Sequence, residues 1–147
     1  MRVALCLDDN CGMMFNSRRQ SRDRVLIADL LCDAEKNERI YITPYSSSLF
    51  DPNDSRIIVC EQPLSLAGDS DLCFIENMSV SPYASKINEI IIYRWNRHYP
   101  ADLYFDFDMN GYEKISVSEF AGSSHEKITK EIWRARNTNL QTERTVL

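Results

Sequence analysis

Seven residues, Glu89–Trp95 (EIIIYRW), limit the fold more than any other part of the chain. Ile90, Ile91, Ile92 and Tyr93 are consecutive, so apolar groups point to both faces of the strand that they form. Only a strand covered on both sides tolerates that, which is the situation inside a parallel sheet sandwiched by helices. Val3–Leu7, Arg39–Thr43, Arg56–Cys60 and Leu72–Ile75 are shorter apolar runs of the same kind. Between the first two lies Arg24–Ala34, where Val25, Leu26, Ala28, Leu30, Leu31 and Ala34 form a helical stripe, with Ser21 or Asp23 as its cap. Ser46–Phe50 and Pro82–Lys86 suit single helical turns, and Asn10–Arg22 and Pro63–Asp71 read as loops. Glu113–Val117 and Lys127–Arg134 complete the strands. This alternation predicts one α/β domain over residues 1–136 with a largely parallel sheet, followed by a polar, frayed tail over 137–147.

Composition narrows the function classes. The chain has 147 residues, 44% hydrophobic and 27% charged, enough for one ordinary globular core. A net charge of −5 argues against a surface built throughout for nucleic acid, leaving room for a local basic patch. Cys6, Cys11, Cys32, Cys60 and Cys73 are scattered and odd in number, as expected for free, mostly buried thiols in a reducing compartment. VALCL is too short for a signal peptide before Asp8-Asp9, and no run reaches membrane-spanning length, so a cytoplasmic protein without membrane contact is expected.

Several groups carry possible chemistry. Asn16–Arg24 (NSRRQSRDR) places four arginines in seven residues at a loop-to-helix junction, a candidate anion site. Asp8 and Asp9 follow the first strand, where ligand crevices of α/β sheets open. His125 with Arg18 or Arg19 has the components of a metal-independent phosphodiester-cleaving site, provided that they converge. Asp106–Gly111 (DFDMNG) begins like a calcium loop, but Val117 stands where the bidentate glutamate belongs, so a turn is expected and no metal.

The segments INEIIIYRWNRHYPADLYFD and FAGSSHEKITKEIWRAR resemble the C-terminal third of dihydrofolate reductase. Gly12–Asn16 (GMMFN) resembles that family's G-[IM]-G-x-N loop, and RIYIT the strand before its glycine-arginine-x-threonine cofactor turn. The resemblance runs over Arg2–Arg136 and implies a dihydrofolate reductase-like mixed, mainly parallel sheet with helices on both faces. It also implies that the cofactor-gripping residues are replaced. Thr43-Pro44-Tyr45-Ser46 stands at the phosphate turn, where Pro44 has no N–H to donate, and Glu76-Asn77 stands at the diglycine. Tyr93 stands at the substrate-side threonine, and Arg18-Arg19-Gln20-Ser21 at the Leu-Pro-Trp loop. Asp23 matches the pterin-binding carboxylate if two residues are deleted before it, against its simpler role as a helix cap. The chain also resembles a group of short bacterial proteins with the motif DDNxGMMFNxRRQSRDR, some carrying the label of a tRNA-processing zinc ribonuclease, whose H-x-H-x-D-H cluster is missing here.

The expectation is therefore a domain that is no NADPH reductase and uses no cofactor. Its retained cleft binds a small anionic or nucleotide-like molecule through Asp8, Asp9, Asn16, Arg18, Arg19 and Arg22. Nucleic acid is a less favoured partner. The alternatives are phosphodiester cleavage with His125 as acid or base, and reduction with a flavin or pterin through Asp23.

Overall fold

The EIIIYR run becomes a central strand of a seven-stranded sheet. The computed structural model describes residues 1–136 and shows the order β5-β4-β6-β1-β7-β10-β9; the expected tail lies outside the described residues. β1 (Arg2–Leu7) runs parallel to β7 (Glu89–Arg94) on one side and to β6 (Leu72–Phe74) on the other. β4 (Ile40–Ile42) and β5 (Ile57–Val59) continue the parallel half. Beyond β7, β10 (Ile128–Ala135) and β9 (Tyr112–Phe120) form an antiparallel hairpin at the other edge.

Side-chain alternation explains the two cores. Ala4, Ile91 and Tyr93 face α1 (Arg24–Asp33), whose Leu26 and Leu30 bury themselves among Ile40, Ile42 and Phe74. Val3, Leu5, Leu7, Ile90 and Ile92 face the opposite layer, where α2 (Pro63–Leu66) contributes Leu64. Helices thus lie on both faces, but α2 is a single turn that replaces the beginning of the expected Pro63–Asp71 loop. Pro63 at the first helical position fits there because that N–H has no intrahelical partner in any case. The described helices reach at most ten residues, and none is long and apolar enough to cross a membrane.

Along the α1 face of the sheet, basic side chains pair with carboxylates. Arg2 reaches Asp33 at 2.8 Å, Glu38 at 3.3 Å and Glu89 at 3.4 Å, while Lys130 reaches Asp29 at 2.8 Å and Asp33 at 2.6 Å. Tyr93 donates its hydroxyl to Asp29 at 2.7 Å. These contacts tie α1 to β1, β7 and β10, and Arg2, Glu38 and Glu89 border a depression of about 630 Å³ whose Arg2 and Arg134 are already paired.

Asn10–Arg22 is not a loop. β2 (Gly12–Phe15) and β3 (Arg18–Arg19) form a hairpin, joined by β8 (Leu103–Tyr104) into a second, three-stranded sheet. Asn16 and Ser17, at φ 53° and 60°, make the two-residue connection. Positive φ at both positions is the requirement of a type I′ turn, whose usual signal is Asn-Gly. Serine in the second place hid the turn from sequence reading. The left-handed region strains a residue with a Cβ, so Ser17→Gly is expected to raise stability by about 0.5–1 kcal/mol, read as a higher urea midpoint at unchanged slope. An unchanged or lower midpoint would show that the hairpin carries no strain there. Asp106–Gly111 is a turn between β8 and β9, where Asp108 accepts the Asn110 N–H at 2.9 Å and Asp106 accepts from Ser79 and Ser81.

Candidate functional site

The chain leaves β1 toward β4, returns through β6 and crosses to β7, so a crevice is expected beyond the carboxyl ends of these strands. Four segments meet there: Asp8–Cys11 after β1, the turn Pro44–Leu49 after β4, Glu76-Asn77 after β6 and Trp95–Pro100 after β7. The β2–β3 hairpin lies across them. Its Arg19 reaches Glu76 with two parallel hydrogen bonds, Nε to Oε2 at 2.9 Å and Nη2 to Oε1 at 3.0 Å. Ser46 donates to the same carboxylate at 2.7 Å. The Tyr45 hydroxyl oxygen accepts the Arg19 backbone N–H at 2.7 Å, and the guanidinium sits 4.5 Å from the centre of the Tyr45 ring. Arg19, expected as a ligand-binding cation, is therefore consumed as a clasp.

Below the clasp the crevice is filled. Cys6, Met13, Gln20, Ile75 and Trp95 close around about 10 Å³, space for about one water. Burial pushes the Cys6 thiol well up, with Glu76 and Asp23 adding to the effect, so it is an inert wall group. Beneath the clasp the expected open cleft is closed by these side chains, while a depression of about 400 Å³ stays open between Met14, Tyr45, Asn77, Asp102 and Leu103.

Asp8 is equally committed. It is 1% exposed and accepts hydrogen bonds from the backbone of Gly12 at 2.7 Å, Asn10 at 2.9 Å and Tyr99 at 3.1 Å, and from Gln20 Nε2 at 3.2 Å. Burial alone pushes its carboxyl up, but these donors outweigh it and the net shift is downward. A Cβ at Gly12 would stand 2.5 Å from the Ala101 Cβ and 3.0 Å from the Asp8 carboxylate, so the loops close tightly around this knot. Asp9 is exposed and makes a backbone bond to Arg97. The two carboxylates form no pair.

Asp23 and His125 come together, but as a buried knot. Asp23 caps α1 by accepting from Val25 at 3.0 Å and Leu26 at 3.1 Å, then takes the N–H groups of Ser123 at 3.0 Å and Ser124 at 2.7 Å from the β9–β10 turn. Gly122 is required beside it, since a Cβ there would collide with the Asp23 carboxylate. His125 is 4% exposed and stacks on Trp95 with ring centres 4.5 Å apart. Its Nδ1 lies 2.8 Å from Ser124 Oγ and its Nε2 2.8 Å from the Tyr99 hydroxyl. Both ring nitrogens are occupied, and the ring contacts neither Arg18 nor Arg19 among the described contacts. The geometry that phosphodiester cleavage demands is not assembled.

The remaining candidates sit outside. Asn16 and Arg18 are exposed at the hairpin tip and, with Phe15, Gln20, Tyr99 and Pro100, border a depression of about 300 Å³. Phe15 is 47% exposed, and Arg18 has no carboxylate within salt-bridge distance among the described residues. Arg22 borders a separate depression of about 230 Å³ over α1, with Arg24, Ile27, Leu31 and Leu49. Sequence reasoning missed Phe15, Tyr45 and the partnership of Glu76 with Arg19. A lone acidic residue facing an arginine-rich loop was the available signal for the last.

No family model and no curated protein matches the chain in sequence. Among solved structures, dihydrofolate reductase from Enterococcus faecalis, complexed with NADP(H) and RAB-propyl, aligns with a TM-score of 0.67 at 7% identity, covering 92% of this chain and 96% of that one. The likeness establishes the fold: a dihydrofolate reductase-like α/β domain.

Proposed function

We propose that this domain is not a reductase and that it binds a small anionic, nucleotide-like molecule on its outer rim, with Arg18 and Asn16 holding the anion and Phe15 packing on the planar body. The supporting observation is the hairpin tip, which sets Asn16 and Arg18 beside an exposed aromatic ring around one depression of about 300 Å³, the lower end of the usual ligand-pocket range of about 300–1,000 Å³. Against reduction stand Pro44 and Glu76, at the places where the resemblance puts phosphate-binding amides and a diglycine. Beneath the Arg19–Glu76 clasp, at the inner end of the crevice, only about 10 Å³ is left for a flavin or pterin ring, and the depression of about 400 Å³ beside Tyr45 and Asn77 lies outside it. Cleavage by His125 lacks a ring nitrogen facing solvent.

A thermal-shift comparison tests this reading. Thymidine monophosphate is expected to raise the melting temperature, because a ligand at about 100 times its Kd stabilises the fold by about 2.7 kcal/mol. Arg18→Ala should abolish that rise while leaving the unliganded melting point in place. Any shift with NADPH or flavin mononucleotide should likewise vanish in Arg18→Ala, because it would arise at this rim and not in the crevice. No response to the nucleotide, or an equal response in Arg18→Ala, removes the proposal.

A further inference from the structure

The hairpin depression has a neighbour of the same chemistry. The first offers Phe15 and Arg18; the second, over α1, offers Arg22 and Arg24 above an apolar floor of Ile27, Leu31 and Leu49. The two share no lining residue and are joined by the short segment Arg18–Arg24. Arg18, Arg22 and Arg24 are all exposed, and none has a salt-bridge partner among the described residues. By contrast Arg2, Arg56, Arg94 and Arg134 are each paired with a carboxylate. The backbone here is anchored independently of those side chains: the Arg22 carbonyl accepts from Ser124 at 2.7 Å and the Arg24 N–H donates to Ser123 at 3.0 Å. The main chain that carries these arginines is thus fixed, and their guanidinium donors have no partner among the described residues.

A small ligand fills one depression. A molecule engaging both must repeat an anion and a flat apolar group along a flexible chain. We infer that the site, resting on the reading above, takes a single-stranded oligonucleotide, whose phosphates lie on Arg18, Arg22 and Arg24 and whose bases settle on Phe15 and on the Ile27–Leu31–Leu49 floor. This is the arrangement of a basic track interleaved with stacking or apolar surfaces. The acidic total charge of −5 is no obstacle to a local track, although exposed Asp9 and Glu126 on the same end keep the affinity modest.

The experiment measures binding of dye-labelled oligo-dT and oligo-U of 2, 4 and 8 nucleotides by fluorescence anisotropy at 50 and 200 mM salt, beside the thymidine monophosphate thermal shift. Affinity should rise with length and fall with salt, at a log–log slope of about −2 for three phosphate contacts on a single strand. The double variant Arg22→Ala/Arg24→Ala should lose about tenfold in octamer affinity and about one unit or more of slope, and keep the mononucleotide shift. A protein that responds to thymidine monophosphate but binds the octamer no better than the dimer overturns this inference and leaves the previous reading intact. Silence toward both removes the two together. Length-dependent binding untouched by the double variant places the strand elsewhere and equally overturns the assignment.

Discussion

Replacing Asp23 by alanine is expected to cost about 3–5 kcal/mol, a large part of the roughly 5–15 kcal/mol that holds a domain of this size together. One side chain, fully buried, accepts from Val25 and Leu26 in the helix and from Ser123 and Ser124 in the β9–β10 turn. A helix cap alone is worth about 1 kcal/mol, and asparagine serves there as well as aspartate. The two roles therefore separate through Asp23→Asn. The amide NH₂ would face the Ser124 N–H, which already points at Asp23 Oδ2 at 2.7 Å, so asparagine should still cost about 2–3 kcal/mol. Denaturant melts of both variants decide it; a neutral Asp23→Asn would reduce this residue to an ordinary cap.

The same knot contributes to the acid limb of stability, beside Asp8, Asp54 and Glu131, whose carboxyls are also held down. Burial pushes the Asp23 carboxyl up, but the Ser123, Ser124 and Leu26 donors hold it far below the usual carboxylate range. The folded state thus binds its proton later than the unfolded one, and this stabilisation, full above about pH 4, is lost as pH falls further. His125 titrates first. Burial and the Arg97 charge hold its pKa down, and the contact with Asp23 only partly opposes them. The unfolded chain then takes the proton more readily, so stability falls as pH drops below about 6.5. Wild-type melting points should show both steps, and His125→Gln should remove the upper one alone.

Glu76→Ala is the second large effect, expected at about 3–5 kcal/mol, because it leaves the Arg19 guanidinium under the hairpin without its counter-charge. Arg19→Ala should cost about as much, leaving Glu76 with only the Ser46 hydroxyl. Removing both should cost far less than the sum, with a coupling of about 2 kcal/mol or more in a double-mutant cycle. Additive single effects would mean that the hairpin is seated by β2 and β8 and that the ion pair is incidental.

Much of the architecture was legible in advance. The consecutive apolar residues of β7 and the buried apolar run of β1 are local properties, whereas the order of the strands in the sheet was not read from the sequence. The hairpin was not legible, because its turn is Asn16-Ser17 rather than Asn-Gly and its strands are four and two residues long. The candidate site was legible only as a list of residue types. Among its members Asp8 and Arg19 turned inward to backbone and to Glu76, Asp23 and His125 became a buried knot, and Asn16, Arg18 and Arg22 remained outside.

Local chemistry by itself determined the strands of the large sheet, a cap at Ser21 or Asp23 before α1 and the excess of arginine between residues 18 and 24, because propensity and periodicity act over a few neighbours. Only tertiary structure decided which charges are spent. Arg19 and Glu76 are 57 residues apart in the chain. Whether a guanidinium meets a carboxylate or water depends on which segments the sheet order brings to one end, and that partition turned an expected cleft into a sealed floor beneath an exposed rim.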